Sequence, residues 1–197
     1  MNQRDFDLIE SAKAGNNRAF DELICLYDKR IIQVAHGIMG NMQDAYDAYQ
    51  DGVIKAYKKL PSFRFESSFN TWLTRIVINQ ALNMKKKRRV KRYLSFSQPE
   101  AMPAEAYESN TPGPDDVFVS TELSNQIEQS LDRLSDRERA VFVLKHMHGY
   151  KLREIAIMID CAEGTVKNYL FRATRKLRDE LSPLVSHTEK NPKTSRV

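Results

Sequence analysis

Residues 151 to 178, KLREIAIMIDCAEGTVKNYLFRATRKLR, constrain the fold of this chain more than any other stretch. Leu152, Ile155, Ala156 and Ile159 recur at helical spacing, and Val166, Leu170, Ala173 and Leu177 resume the same period beyond Gly164. Asp160 and Cys161 occupy the break, so the pattern predicts two short amphipathic helices joined by a tight turn, a helix-turn-helix. Away from its apolar stripe the second helix carries Thr165, Lys167, Asn168, Phe171, Arg172 and Arg175. Those side chains suit phosphates, base edges and a thymine methyl, whereas an ordinary solvated face would carry more Glu among its cations. A helix pair with no ligand is the plainer alternative, since such pairs are common.

The rest of the chain reads as helical too. Upstream, apolar residues follow helical spacing in four groups: Phe6, Ile9 and Ala12; Phe20 to Ile38; Ala45, Ala48, Val53 and Tyr57; and Leu73, Ile76, Val77 and Leu82. Gly15, Gly40 and Pro61 punctuate them. Downstream, Leu123, Ile127, Leu131 and Leu134 form one stripe, and Ser135 with Glu138 looks like a capping box opening the next helix. No alternating β pattern of useful length appears. The expected fold is all-α, with two small helical domains joined by a flexible linker and the helix-turn-helix in the C-terminal one.

Charge divides the chain at the same place. Residues 1 to 60 carry a net −1, 61 to 93 a net +8, 94 to 135 a net −7 and 136 to 197 a net +5. Two basic blocks flanking an acidic spacer suit two nucleic-acid-binding modules tied by a segment that does not itself prefer phosphate. Residues 97 to 116 hold four of the seven prolines without any helical or strand period. The expected domains are 1–93 and 118–182, with 94–117 as linker and 183–197 as a polar tail.

Several function classes fall away. No apolar run approaches the roughly 20 residues that cross a bilayer, and the opening MNQRDFDLIE lacks the basic and apolar regions of a signal peptide. A cytoplasmic protein without membrane insertion is expected. Cys25 and Cys161 belong to no ligand-spaced cluster, and His146 and His148 add only an irregular set, so neither disulfide nor metal is expected and both thiols read as buried or half-buried. No HExxH, P-loop or GxSxG motif occurs, so no catalytic residue and no cofactor is expected.

A second constellation lies between Pro61 and Arg92. Phe63, Phe65, Phe69 and Trp72, the only tryptophan, crowd a short loop and the helix after it, interleaved with basic residues. Aromatic rings offer stacking faces to unpaired bases, worth roughly 1 to 3 kcal/mol per contact, while cations follow the backbone. Asn70 and Asn79 can read a base edge. Phe69, Trp72 and Ile76 also fit a core stripe at i, i+3 and i+7, whereas Phe63 and Phe65, flanking Arg64 in a loop, are harder to bury together. The run KKKRRVKR at 85 to 92 is less specific, since basic tracts are often simply solvated.

The order of these parts resembles an extracytoplasmic-function (group IV) sigma factor of the sigma-70 family. The words that carry the resemblance are DAYDAYQDGVIKAYKKLPSFRFESSFNTWLTRIVIN and LSDRERAVFVLKHMHGYKLREIAIMIDCAEGTVKNYLFRATRKLR, in that order, and it extends from about Asp7 to Leu181. It implies that residues 5 to 93 are region 2, which grips the β′ clamp helices of core RNA polymerase and melts the minus-10 element. Residues 118 to 182 would be region 4, reading the minus-35 element as duplex. The polymerase β subunit, promoter DNA and an anti-sigma factor are the implied partners. A helix-turn-helix regulator that never touches polymerase is the alternative.

Carried over by position, Asp44, Asp47, Ala48, Gln50, Asp51 and Ile54 fall on the family's polymerase-binding helix. Tyr46 and Gly52 stand where acidic residues are common, and Tyr49 replaces a usual aliphatic. Phe63, Arg64, Phe65, Ser67, Ser68, Phe69, Asn70, Trp72, Arg75 and Asn79 fall on the minus-10 segment. Thr165, Lys167, Asn168, Phe171, Arg172 and Arg175 fall on the minus-35 reading helix, and Lys86, Arg88 and Arg89 on DNA phosphate.

Overall fold

The computed structural model describes residues 3–96 and 126–188, and the described residues are helices and their connections. Most of the expected linker and Leu123 lie outside them. Helices α1 (Gln3–Lys13), α2 (Asn17–Cys25) and α3 (Asp28–Met39) open the chain. The expected stops hold for local reasons. Gly15 lies beyond α1 at φ 97°, and Gly40 closes α3 at φ 87° with its N–H donating to His36 O at 2.8 Å, a left-handed cap that favours glycine. Asn16 begins α2 by accepting from the Ala19 N–H at 3.3 Å.

Helix α4 (Met42–Lys59) starts on Asn41, whose side chain accepts from the Asp44 N–H at 2.8 Å, and ends in a 3-10 turn, Leu60–Ser62, around Pro61. It packs lengthwise on α5 (Phe69–Phe96). Gly52 explains how closely: a Cβ there would stand 2.6 Å from Val77 Cγ2 and 3.1 Å from the Val77 backbone. The residue that departs from the family's acidic pattern therefore faces α5 and not a partner. Ile9, Phe20, Leu23, Ile31, Phe69, Leu73 and Val77 fill the core of this half. Tyr57, read from sequence as core, is about half exposed; its ring meets Phe20 edge-on and its hydroxyl donates to Asn17 Oδ1 at 2.8 Å.

Downstream come α6 (126–132), α7 (Asp136–Phe142) continued by a π-helical turn (Val143–Met147), α8 (Leu152–Met158) and α9 (Glu163–Thr188). The capping box at Ser135 forms as read: its hydroxyl accepts from the Glu138 N–H at 3.3 Å and its own N–H donates to Glu138 Oε2 at 2.9 Å. Helix α5 runs to Phe96 and α9 to Thr188, past the expected domain edges at 93 and 182. Within the described residues no helix is long and apolar enough to cross a membrane.

The two halves do not keep separate cores. Val34, Ile38, Ala48, Ile78 and Ala81 of the first join Val141, Val143, Leu144, Tyr150, Ile155 and Val166 of the second in one cluster. Small residues make the approach possible, since a Cβ on Gly37 would lie 2.8 Å from Val143 Cγ1. Arg139, 1% exposed, closes the seam: its Nε donates to Gly37 O at 2.7 Å, and its terminal nitrogens pair with Glu128 (2.9 Å) and Asp132. Charge-assisted bonds of this kind make burial of a guanidinium tolerable.

Candidate nucleic-acid interface

The recognition helix is the simplest surface to build. Helix α8 stops at Met158, Asp160 takes a left-handed turn at φ 54°, and α9 begins at Glu163 with the Thr165 N–H on Ala162 O at 2.9 Å. Val166, Ala173 and Leu177 turn inward, the last two onto Leu131 and Leu134. The opposite side leaves Lys167, Asn168, Phe171, Arg172 and Arg175 exposed, with Thr165 half-buried at their edge. Phe171 is 68% exposed, a large apolar ring that gains nothing from facing water. Lys167 meets Glu163 one turn back at 3.2 Å, and Lys176 anchors the helix to Glu138 at 2.7 Å.

The aromatic segment is arranged differently from the sequence expectation. Phe69 is fully buried and Phe63 nearly so, which corrects the reading of both as stacking faces. Phe63 touches Phe65, Phe69 and Trp72 at centroid distances of 5.0, 6.1 and 5.0 Å, so the rings form a core knot under the loop. Phe63 and Phe65 are thus packed together after all. Phe65 is half-buried between Phe6 of α1 and Phe63, with Lys13 Nζ 4.2 Å over its ring. Its φ of 60° is strained for a bulky residue, and this packing offsets the strain. Arg64, Ser68 and Arg75 are exposed, and Ser67, Asn70, Trp72 and Asn79 half-buried.

Two of the polar residues expected to read bases are already engaged. Asn79 Nδ2 donates to Arg75 O at 2.8 Å and to Met158 O of α8 at 3.0 Å. Asn70 Nδ2 lies 3.5 Å from the hydroxyl of Tyr150, which also stands 3.4 Å from Thr74 Oγ1, while Asn70 Oδ1 is buried with no hydrogen-bond partner. Sequence reasoning missed Tyr150, Thr74 and Arg139, since no local pattern couples residues so far apart in the chain.

On α4 the expected polymerase contacts divide by face. Asp47, Gln50, Asp51 and Ile54 are exposed, whereas Ala48 is fully buried and Asp44 nearly so, which removes both from the surface. Asp44 accepts a bidentate pair from Arg88 and a bond from Asn41 Nδ2 at 2.7 Å. Burial alone would raise its pKa; Arg88 and Asn41 outweigh that and hold it below the usual carboxylate value. Met42, Tyr46, Ile54 and Tyr57 form a solvent stripe out of phase with the buried Ala45, Ala48, Gly52 and Ala56. That second period was visible in the sequence and went unread. Tyr49 is half-buried on the core, its phenol raised to about 12 chiefly by burial.

The basic run also changes meaning. Arg88 pairs with Asp44, and Arg89 with Asp136 of α7 at 3.2 Å, so of the three expected phosphate contacts Lys86 alone keeps a purely solvent-facing description. Cys25 is exposed, correcting the expectation of burial, and Cys161 is half-buried. Among the described residues no His, Cys, Asp or Glu group is arranged to hold a metal ion.

Residues 23–91 match sigma-70 region 2 and residues 124–177 match sigma-70 region 4. The ECF RNA polymerase sigma factor SigW of Bacillus subtilis is 32% identical over 89% of this chain and 96% of its own. The RNA polymerase sigma-H factor of Pseudomonas aeruginosa is 31% identical over 93% and 96%. In fold the chain is similar to the sigma factor RpoE of Bartonella quintana, solved with the anti-sigma factor NepR (TM-score 0.61, 24% identity, 83% of this chain and 96% of that one). It is also similar to CnrH, solved with the cytosolic domain of CnrY (TM-score 0.64, 24% identity, 91% and 98%). With both sigma-70 regions in order and such identity along nearly its whole length, the chain belongs to the extracytoplasmic-function RNA polymerase sigma factors, and it is an alternative sigma factor directing promoter-specific transcription.

Proposed function

We propose a division of labour among three surfaces of the chain. The exposed face of α4, with Asp47, Gln50, Asp51 and Ile54 beside the apolar stripe of Met42, Tyr46 and Tyr57, docks on the β′ clamp helices of core RNA polymerase. Acidic side chains around an apolar strip suit a partner helix with basic edges. The outer side of α9 reads minus-35 duplex, with Lys167 and Arg175 suited to phosphates, Asn168 and Arg172 to base edges and Phe171 to a thymine methyl. Arg64, Phe65, Ser67, Ser68, Asn70, Trp72, Arg75 and Asn79 take the opened minus-10 strand, resting on the buried Phe63 and Phe69. The chain does no covalent chemistry, works in the cytoplasm where the polymerase is, and is held in check by an anti-sigma factor.

The exposure of Phe171 among Lys167, Asn168, Arg172 and Arg175 carries this reading, because an apolar ring ringed by donors is what duplex readout requires. Transcription by core polymerase on promoter DNA, with and without the chain, tests it. The expected result is specific initiation only with both present, since one small module seldom buries enough surface to bind tightly alone. Tight, specific DNA binding and repression by the chain without polymerase would overturn it.

A further inference from the structure

Taking the minus-10 reading above as given, the contacts between the two halves bear directly on it. Tyr150 stands over Asn70 and Thr74, and the α8 carbonyl of Met158 occupies Asn79. Arg30 adds a bond to His148 O at 3.2 Å and lies 5.3 Å over the Tyr150 ring. We propose that the free chain is self-inhibited: region 4, docked through Tyr150, Met158 and Arg139 onto α3 and α5, covers the groups that would hold the minus-10 strand and leaves the polymerase-facing side of α4 open.

Three features mark the contact as built for this seat. Gly37 admits Val143 where any side chain would collide. Arg139 has no other place to bring its three bonds than the carbonyl of Gly37 and the carboxylates of α6. The seam is nevertheless incomplete at one atom, Asn70 Oδ1, which is buried without a partner. An orphaned acceptor costs about 1 to 3 kcal/mol of desolvation that opening returns. The contact is therefore firm along α3 and weakest where the DNA strand must enter. Polymerase docks on the closed chain, and strand capture waits for region 4 to leave.

A reversible lock tests this. An ideal Cβ on Gly37 would lie 3.7 Å from Val143 Cβ, within the range a disulfide needs, so Gly37→Cys with Val143→Cys should cross-link in a Cys25→Ser, Cys161→Ser background. The oxidised chain should still be retained by core polymerase. On a promoter template pre-opened by mismatches over the minus-10 element it should lose at least about tenfold in strand capture, and dithiothreitol should restore it. Arg30→Ala should act oppositely, lowering cross-linking yield and raising capture of the pre-opened strand by the free chain a few-fold. Failure of the cross-link to form, full activity of the locked chain, or loss of polymerase retention on locking would each overturn the proposal. If the unsubstituted chain itself gives no polymerase-dependent strand capture, the minus-10 reading falls first, and that outcome is distinct because it needs no lock.

Discussion

The two surfaces proposed to meet DNA are treated in opposite ways by the same fold. Along α9 the side chains that suit a major groove point outward, and the helix is held from behind by Val166, Ala173 and Leu177. Between Phe63 and Asn79 the polar groups are tied down by the chain itself and the largest rings are core. Duplex readout needs a rigid helix that can simply be presented. Strand capture needs a pocket, which exposes apolar surface and unpaired polar groups when empty, and a fold lowers that cost by covering it.

The sharpest way to break this contrast exchanges a ring on each surface. Phe69→Ala removes a fully buried aromatic and should destabilise the chain by about 3 to 5 kcal/mol, with loss of polymerase binding as a consequence of unfolding. Phe171→Ala should move stability by less than about 0.5 kcal/mol while weakening minus-35 binding. Urea denaturation beside promoter binding separates them. Equal stability losses would mean that Phe171 is core in solution, and the comparison would fail.

Arg139→Met follows in size. Three charge-assisted bonds disappear, but Glu128 and Asp132 are exposed enough to rehydrate, so the net loss should be about 3 kcal/mol and not the full cost of stranding a buried charge. Small-angle scattering should show a larger radius as the halves part. A destabilised but equally compact chain would show that the apolar seam holds them without the guanidinium.

How much of this was legible follows from the range of each interaction. Helices, the capping box at Ser135 and the glycine stops are written in neighbours a few residues apart, and all appear as read. The exposed side of α9 follows from period alone. Phe63 and Phe69 were misplaced because composition cannot say whether a ring in a loop faces water or a helix behind it, here α3 through Tyr27. Asp44, Arg88 and Arg89 were misplaced because their partners lie some 44 to 47 residues away. The seam between the halves was hidden for the same reason.

Arg172→Ala bears on the open surface alone. It should cost about 1 to 3 kcal/mol of discrimination at one minus-35 position if the guanidinium meets a base, with thermal stability unchanged, because Arg172 is exposed and holds no core contact. Binding measured on a set of single-position promoter variants reads it out. A uniform loss over every variant would move Arg172 to phosphate, and no loss would remove it from the interface.

The smallest effect compares one carboxylate from each half. Burial would raise both Asp44 and Glu138, yet each sits below its usual value, Asp44 through Arg88 and Asn41, Glu138 through Lys176 and its bonds with Ser135. A group depressed in the fold contributes stability that is fully present above its unfolded pKa, roughly 4, and is lost as pH falls through the folded value. Stability should therefore decline on acidification below about pH 4. Asp44→Asn and Glu138→Gln should each flatten part of that slope and cost about 1 kcal/mol or less at neutral pH, since Arg88 and Lys176 are half exposed. Asp44 steadies the start of the polymerase helix and Glu138 the back of the recognition helix. Acid should then weaken minus-35 binding in the unsubstituted chain and less so in Glu138→Gln, while Asp44→Asn leaves that difference in place. An acid slope untouched by both substitutions would show that neither carboxylate keeps its partner in solution.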